Sequence, residues 1–515
     1  MICLTGSMNS CADFEDLNQD PDKSTDMDPA LLLPNIQMYL TNDYQEWHRH
    51  FMYPGGFVNQ WCGDWGTVEY GCIGIKSDSY MAELWLQRYT RLAKSIVDTT
   101  ERTQDDPGQV NLNAMGRVMR VYVYNQLTDM YGDIPYFEAG TGYYTGILKP
   151  KYDLQSEIYD DFFRQLDIVY EQLDPNADIV QYDHYYNGDV NKWKKFTNSL
   201  RLRLAMRLIK VDPERARKEA ETAIRNGVME SNADLCMIKY ENLANPSSGP
   251  GRGNALSNRF RQEPRNFRLS KKLITYMEDT SDPRIRLYSG CYLDDGQNTD
   301  ITDLVYALKR SYSEMARETD HFDWEKNPEP ILLTIDGKEV EVDGKYQLLQ
   351  PAAWLMEYDA PYINMSYAEV ELLLAEAAVR GWSGVGNAAA HFENALRASV
   401  EHMSLYGAPA VSAEALERFV TSNALKSGSE LEQINMQIWV GHLLNPFEAY
   451  ANWRRTNIPE ITMENPDKER NQSGGKTPRR LLYPIEEQIK NGDNYREAIA
   501  RVPGYDWTIG VWWDK

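Results

Sequence analysis

An all-α fold of paired helices, carrying long decorated loops and one small β-hairpin, is what this sequence predicts. Three observations lead there. Apolar residues recur at three-and-four spacing over long stretches, the period of an amphipathic helix. These stretches come in pairs, broken by Gly, Pro and Asp, which stop and cap helices. Between the pairs lie irregular segments, 52–79, 241–268, 293–303, 331–346 and 456–476, rich in Gly, Pro, Asn and Asp. Loops of that length in a compact fold are usually functional or disordered.

The first long helix is Val110–Tyr131, with Leu112, Met115, Val118, Met119, Tyr122, Val123, Gln126 and Leu127 on its apolar face, stopped by Gly132 and Pro135. Leu154–Leu173 follows as its antiparallel partner. Lys192–Lys210 and Pro213–Asn226 form a second pair, with Asp212 at the N-cap, Pro213 at N1 and Gly227 as the stop. Tyr367–Arg380 and Asn387–His402 form a third. The second helices carry small residues at close spacing: Ala216, Ala220 and Ala223, then Ala388, Ala389, Ala395 and Ala398. Such spacing lets backbones approach, as in tetratricopeptide-like helix-hairpin repeats, although the full consensus is absent. Glu430–Ala451 reads as a last helical stretch. Alternation on either side of Asp336-Gly337 (Leu333, Ile335; Val340, Val342) predicts the β-hairpin.

The 515 residues suffice for two cores or for one continuous core spread along repeats. With 77 acidic against 54 basic residues the net charge is −23, which argues against a nucleic-acid partner. No stretch approaches 18 consecutive apolar residues, so no helix spans a membrane. The six cysteines lack zinc spacing, although Cys62 and Cys72 could close a nine-residue loop. No catalytic or cofactor motif stands out, and the one oxygen-rich turn that could hold calcium, Asp294, Asp295, Asn298, Asp300 and Asp303, lacks EF-hand spacing. Gly474-Gly475-Lys476-Thr477 has Arg470 where a phosphate loop needs Gly, and His48-Arg49-His50 has no evident third ligand.

Cys11 is preceded by small polar residues and followed by the acidic run Asp13-Phe14-Glu15-Asp16, the pattern of a lipidated bacterial surface protein. The alternative is a plain cysteine in a tail. Only ten residues precede it, with no basic region and no apolar run. Either the start is misplaced or Met1–Ser10 is part of a longer leader. The expected organisation is a leader remnant and tether over 1–21 and a single helical domain over 22–515.

A ligand site is expected where aromatics sit among Gly, Asp and Asn. Trp61, Trp65 and Tyr70 fall within ten residues, with Asn59 and Asp64 between and before them. A pyranose offers an apolar C–H face to an indole and hydroxyls to Asp or Asn, so Trp61 and Trp65 would be platforms and Tyr70 a wall. The alternative is that these rings pin the loop to the helices. A second candidate is the Gly- and Pro-rich loop with Arg252 and Asn254, extended by Arg259 and Arg261; a third is Trp324 beside Asp320, His321 and Asp323.

An ordered set of segments resembles the SusD/RagB family of outer-membrane nutrient-binding lipoproteins, in its SusD-like branch. They are Tyr131-Gly132-Asp133-Ile134-Pro135-Tyr136, Trp193-Lys194-Lys195-Phe196 running into Ser199-Leu200-Arg201-Leu202-Arg203-Leu204-Ala205, and Asp282-Pro283-Arg284. Met365-Ser366-Tyr367-Ala368-Glu369, Asn445-Pro446-Phe447-Glu448, Trp453-Arg454-Arg455 and Arg479-Arg480-Leu481-Leu482-Tyr483-Pro484 follow in order. The resemblance implies four tetratricopeptide-like units and a lipid anchor on the outer face of the outer membrane. It also implies capture of oligosaccharide and its delivery to a SusC-like TonB-dependent transporter, without catalysis. The motif residues themselves read as builders of the fold, with Arg454 and Arg455 expected against carboxylates. Peptide capture by the same architecture, or a scaffold for protein partners, are the alternatives.

Overall fold

The computed structural model describes residues 27–63, 66–246, 251–294, 299–317, 327–461, 463 and 469–515. Its longer helices are α1 (Leu32–Tyr39), α2 (Asp78–Gln87), α3 (Ala93–Thr103), α4 (Val110–Tyr131), α5 (Gln155–Gln172), α6 (Val190–Arg207), α7 (Pro213–Asn226), α8 (Ala255–Gln262), α9 (Lys271–Asp279), α10 (Thr302–Lys309), α11 (Tyr367–Val379), α12 (Ala388–Glu401), α13 (Ala413–Ser422), α14 (Glu430–Gly441), α15 (Pro446–Thr456) and α16 (Gly492–Ala500).

Hydrogen bonds show how the hairpins run. Along α4 and α5, Arg117 donates to Gln165 at 2.8 Å, Asn111 to the Asp174 carbonyl at 2.8 Å, and Tyr159 to Asp129 at 2.6 Å. Numbers rise on one helix as they fall on the other, so the pair is antiparallel. In α6 and α7, Asn198 donates to the Gly227 carbonyl at 2.9 Å and Arg201 to Glu219 at 2.8 Å, again antiparallel. Local chemistry sets the ends. The Asp212 carboxylate accepts from the Arg215 N–H, Pro213 opens α7, and Gly227 leaves it at φ 92°. The expected third pair is α11 and α12, with Asn387 capping α12.

One expected helix is two. The stretch read as Glu430–Ala451 breaks over His442–Asn445, where Pro446 starts α15 at N1. Proline lacks the N–H that a helix interior needs, so a new helix begins there. The β-hairpin is present as Ile331–Ile335 paired with Lys338–Val342, and its turn residues Asp336 and Gly337 have φ 48° and 76°. Two positive φ values match the right-handed twist of the strands. The remaining sheets among the described residues are two-stranded: Trp61–Cys62 (β1) with Arg268–Leu269, Cys236–Ile238 with Tyr362–Met365, and Ser289–Gly290 with Gln350–Pro351.

One contiguous hydrophobic cluster runs from Leu33 to Trp513. Threaded through it are buried ion pairs supplied by the family-like motifs. Arg203 on α6 grips Glu369 on α11 at 2.6 and 2.7 Å, and Arg207 reaches both Glu448 on α15 and Asp129 on α4. Asp129 also accepts from the Trp513 indole at 2.8 Å. Arg455 holds Glu376 with two bonds of 2.6 and 2.7 Å. Arg454 departs from expectation: it donates to the backbone carbonyls of Asp129 and Arg479, and lies 4.1 and 4.7 Å from the Tyr450 and Trp513 rings. Cys62 and Cys72 are not bridged, and burial pushes the Cys72 thiol up to about 12. Among the described residues no helix is long and apolar enough to cross a membrane.

Candidate functional site

β1 sets the first part of the candidate region. Trp61 pairs with Leu269 and Cys62 with Arg268, while the Cys62 thiol donates to the Arg317 carbonyl at 3.5 Å. Cys62 and Arg317 are therefore neighbours in space. Gly63 is required at this point, because a Cβ there would meet the Asn266 carbonyl at 2.3 Å. The sequence candidates Asp64, Trp65 and Trp324 lie outside the described residues, as does Cys11.

Trp61 is no platform. It is 0% exposed, its indole N–H donates to the Leu443 carbonyl at 2.7 Å, and its ring stacks on Phe260 at 5.3 Å. Burying both the large apolar ring and its satisfied N–H pins the loop to the core. Asn59 is a turn residue at φ 51°, and its backbone carbonyl accepts from the Ser270 hydroxyl. Asn254 is also structural: it caps α8 by accepting from the Leu256 and Ser257 N–H groups, and donates to the Ala360 carbonyl at 2.8 Å. Its side chain is satisfied within the fold and buried, so it is removed from the ligand set.

Tyr70 opens a different surface. Its half-buried ring lies 4.8 Å from Tyr80, which lies 4.8 Å from His48, and His48 lies 4.2 Å from Trp47. Arg259 continues the row, its guanidinium 4.8 Å from the Trp47 ring and 4.8 Å from the Tyr44 ring, with a 2.7 Å bond to the Tyr44 hydroxyl. Tyr70, Tyr80, His48 and Tyr44 are each half-buried, and the Tyr70, Tyr80, His48 and Trp47 rings meet in tilted or edge-on fashion. Burial raises the phenols of Tyr70 and Tyr80, with help from nearby carboxylates, which keeps both hydroxyls protonated as donors.

The strip runs on to the second candidate loop, because the Asn42 side chain donates to the Gly251 carbonyl at 2.7 Å. There Arg252 is exposed and paired with Glu241, and Arg261 is exposed 5.1 Å from the Tyr358 ring and 3.4 Å from Glu357. Arginine flanked by carboxylates and aromatic rings suits hydroxyl-rich ligands, since the carboxylates accept where the guanidinium donates. Two sequence candidates, the 59–70 segment and the arginine loop, are thus joined by Tyr80, His48 and Tyr44, which the sequence did not single out as ligand residues. Among the described residues, no cluster of His, Cys, Asp and Glu could hold a metal ion.

Comparison with known proteins fits this architecture. A family model described as starch-binding, associating with outer membrane, matches residues 21–484. A solved chitin-binding protein is 36% identical, with a TM-score of 0.81 over 95% of this chain and 100% of its own. A Bacteroidetes AC2a SusD-like structure is 31% identical, with a TM-score of 0.86 over the same shares. A SusD homologue of Bacteroides ovatus ATCC 8483 shares the fold at 21% identity and a TM-score of 0.73, covering 95% of this chain and 99% of its own. No curated protein matches the sequence. With the model spanning most of its length and these relatives spanning nearly all of it, the chain belongs to the SusD-like family, a helical family described as starch-binding and associating with the outer membrane.

Proposed function

We propose that this protein captures oligosaccharides at the cell surface and passes them to a SusC-like TonB-dependent transporter, without performing chemistry on them. The observation that carries this reading is the row of half-buried rings Tyr70, Tyr80, His48 and Tyr44, backed by the buried Arg259 guanidinium, which meets the exposed arginines 252 and 261. Aromatic edges and hydroxyls along one line suit a chain of pyranose rings, whose C–H faces and hydroxyls alternate in the same way. Asp64, Trp65 and Trp324 are proposed to extend the site, since the described residues flanking them converge beside β1. Each contact is weak, because ordering flexible sugar offsets much of its contact energy, and many copies on a surface would raise the effective affinity.

We place the protein on the extracellular face of the outer membrane, held by lipid on Cys11, with residues 1–21 as leader remnant and tether and 22–515 as one domain. The acidic run after Cys11 and the family's outer-membrane association support that placement. Chitin oligosaccharides are the first ligands to try, because a 36% identical relative is a chitin-binding protein; starch oligosaccharides are the second. The test is calorimetric titration of the wild type and a Tyr44→Ala/Tyr80→Ala variant. Saturable binding that weakens in the variant supports both function and site. Binding to no glycan by a folded protein overturns the reading in favour of peptide capture.

A further inference from the structure

An apolar knob stands out from the connection between α4 and α5. Tyr143 and Leu148 are 87% and 85% exposed, and Phe137, Tyr144 and Ile147 each show more than a third of their surface. The knob is one helical turn, Gly142–Thr145, closed by Gly146 at φ 74° and followed by the exposed Lys149 and Lys151. The fold holds it firmly. Asn494 donates to the Lys149 carbonyl at 3.0 Å, the Lys151 N–H donates to Glu138 at 2.9 Å, and Gly140 packs so tightly on α3 that a Cβ would meet the Ala93 carbonyl at 2.7 Å. A rigid, convex cluster of exposed apolar side chains on an otherwise highly charged protein marks a binding surface.

Where the chain enters the fold supplies the second observation. Arg102 donates to the Met27 carbonyl at 2.7 Å, and Asp98 accepts from the Tyr144 hydroxyl at 3.2 Å. Residues i and i+4 of one helix share a face, about 6 Å apart, so Met27 and the knob are neighbours on α3. Sixteen residue steps separate Cys11 from Met27, a reach of at most about 55 Å. A lipid on Cys11 would therefore tether the domain through the corner that carries the knob.

We propose that the Tyr143–Leu148 knob seats in the headgroup boundary of the membrane that carries the lipid anchor, as a second contact that fixes how the domain stands on the surface. The inference rests on the lipoprotein reading above. Its chemistry fits: Tyr, Ile and Leu enter the interface, and Lys149 snorkels to anionic headgroups, while Lys151 lies 3.6 Å from Asp153.

The experiment uses the full chain carrying Cys11→Ser, so that no acyl chain contributes, with phosphatidylcholine vesicles holding about one-fifth phosphatidylglycerol. Vesicle co-sedimentation is compared with that of the same chain bearing Tyr143→Ser and Leu148→Ser, whose melting curve serves as the folding control. The expected result is at least a fivefold drop in vesicle partitioning with unchanged melting. Absence of vesicle binding, or equal binding by both chains, overturns the proposal. A knob variant that loses co-purification with an outer-membrane barrel while vesicle binding is nil assigns the surface to a protein and equally overturns it. Palmitate labelling that depends on Cys11 tests the anchor separately, so failure of the anchor and failure of the knob give different results.

Discussion

The Trp61 indole N–H and the Leu443 carbonyl share a 2.7 Å hydrogen bond across 382 residues of sequence. It ties the two-residue strand β1 to the break between α14 and α15. The ring beside it packs on Phe51 and Phe260.

Trp61→Ala is therefore a stability mutation. It removes a fully buried ring and leaves a buried carbonyl unpaired, at a cost of about 3–5 kcal/mol. Urea midpoints should show this loss, while the glycan affinity of the remaining folded protein stays within about twofold. A stable variant that no longer binds glycan would return Trp61 to the ligand site.

Tyr44→Ala with Tyr80→Ala should behave in the opposite way. Both rings are half-buried, and each aromatic contact is worth about 0.5–1.5 kcal/mol. The double variant is expected to bind glycan about tenfold more weakly in calorimetry. Unchanged affinity would move the site to the segments next to residues 63 and 317.

Acid should weaken the fold through Glu376. Burial opposes its ionisation, but Arg455 and then Arg380 lower its carboxyl from 4.5 to about 2. A carboxylate depressed in the fold stabilises it above the unfolded value, and that contribution is lost as pH falls from about 4.5 towards 2. Glu376→Gln should lose about 3–5 kcal/mol at pH 7, since it leaves Arg455 buried without its charge partner. It should also flatten the dependence of the urea midpoint over that acid window.

His402 titrates in a different window. Burial, with Arg284 nearby, lowers its imidazole from 6.5 to about 4, beside a small pocket lined also by Tyr288, Ser366, Glu369, Tyr406 and His442. His442 is lowered by burial as well. Below pH 6.5 the unfolded chain takes up a proton that the fold refuses, so stability falls down to pH 4 and then levels. For His402 alone that amounts to roughly 3 kcal/mol. His402→Asn should remove this part of the slope in melting curves recorded between pH 4 and 7.

Asn254→Ala tests a smaller claim. Loss of the α8 cap should cost about 1 kcal/mol of stability. Glycan affinity should not move, and a large fall in affinity with intact melting would put Asn254 back against the ligand.

The hairpins were legible because their boundaries are local. Asp212, Pro213 and Gly227 write the start and stop of α7 within sixteen residues, and Pro446 was an equally local mark of the break before α15. Asn254, directly before an amphipathic octet, carried the same kind of cap signal and was read as a ligand residue instead. Trp61 was not legible, because its Gly- and Asp-rich neighbours suggest exposure while a partner strand two hundred residues away turns it inward. The aromatic strip was legible only at Tyr70 and Arg259. Tyr44 and His48 come from one segment and Tyr80 from another, and nothing in their immediate neighbours says that their rings meet.

Asp129 sits at the centre of α4's packing and takes hydrogen bonds from Tyr159, Arg207 and Trp513. Of these, Trp513 is 384 residues away. The polar partners of α4 are complete only when a segment from the far end of the described residues has docked on it, which makes this helix a long-range clasp and not a local unit.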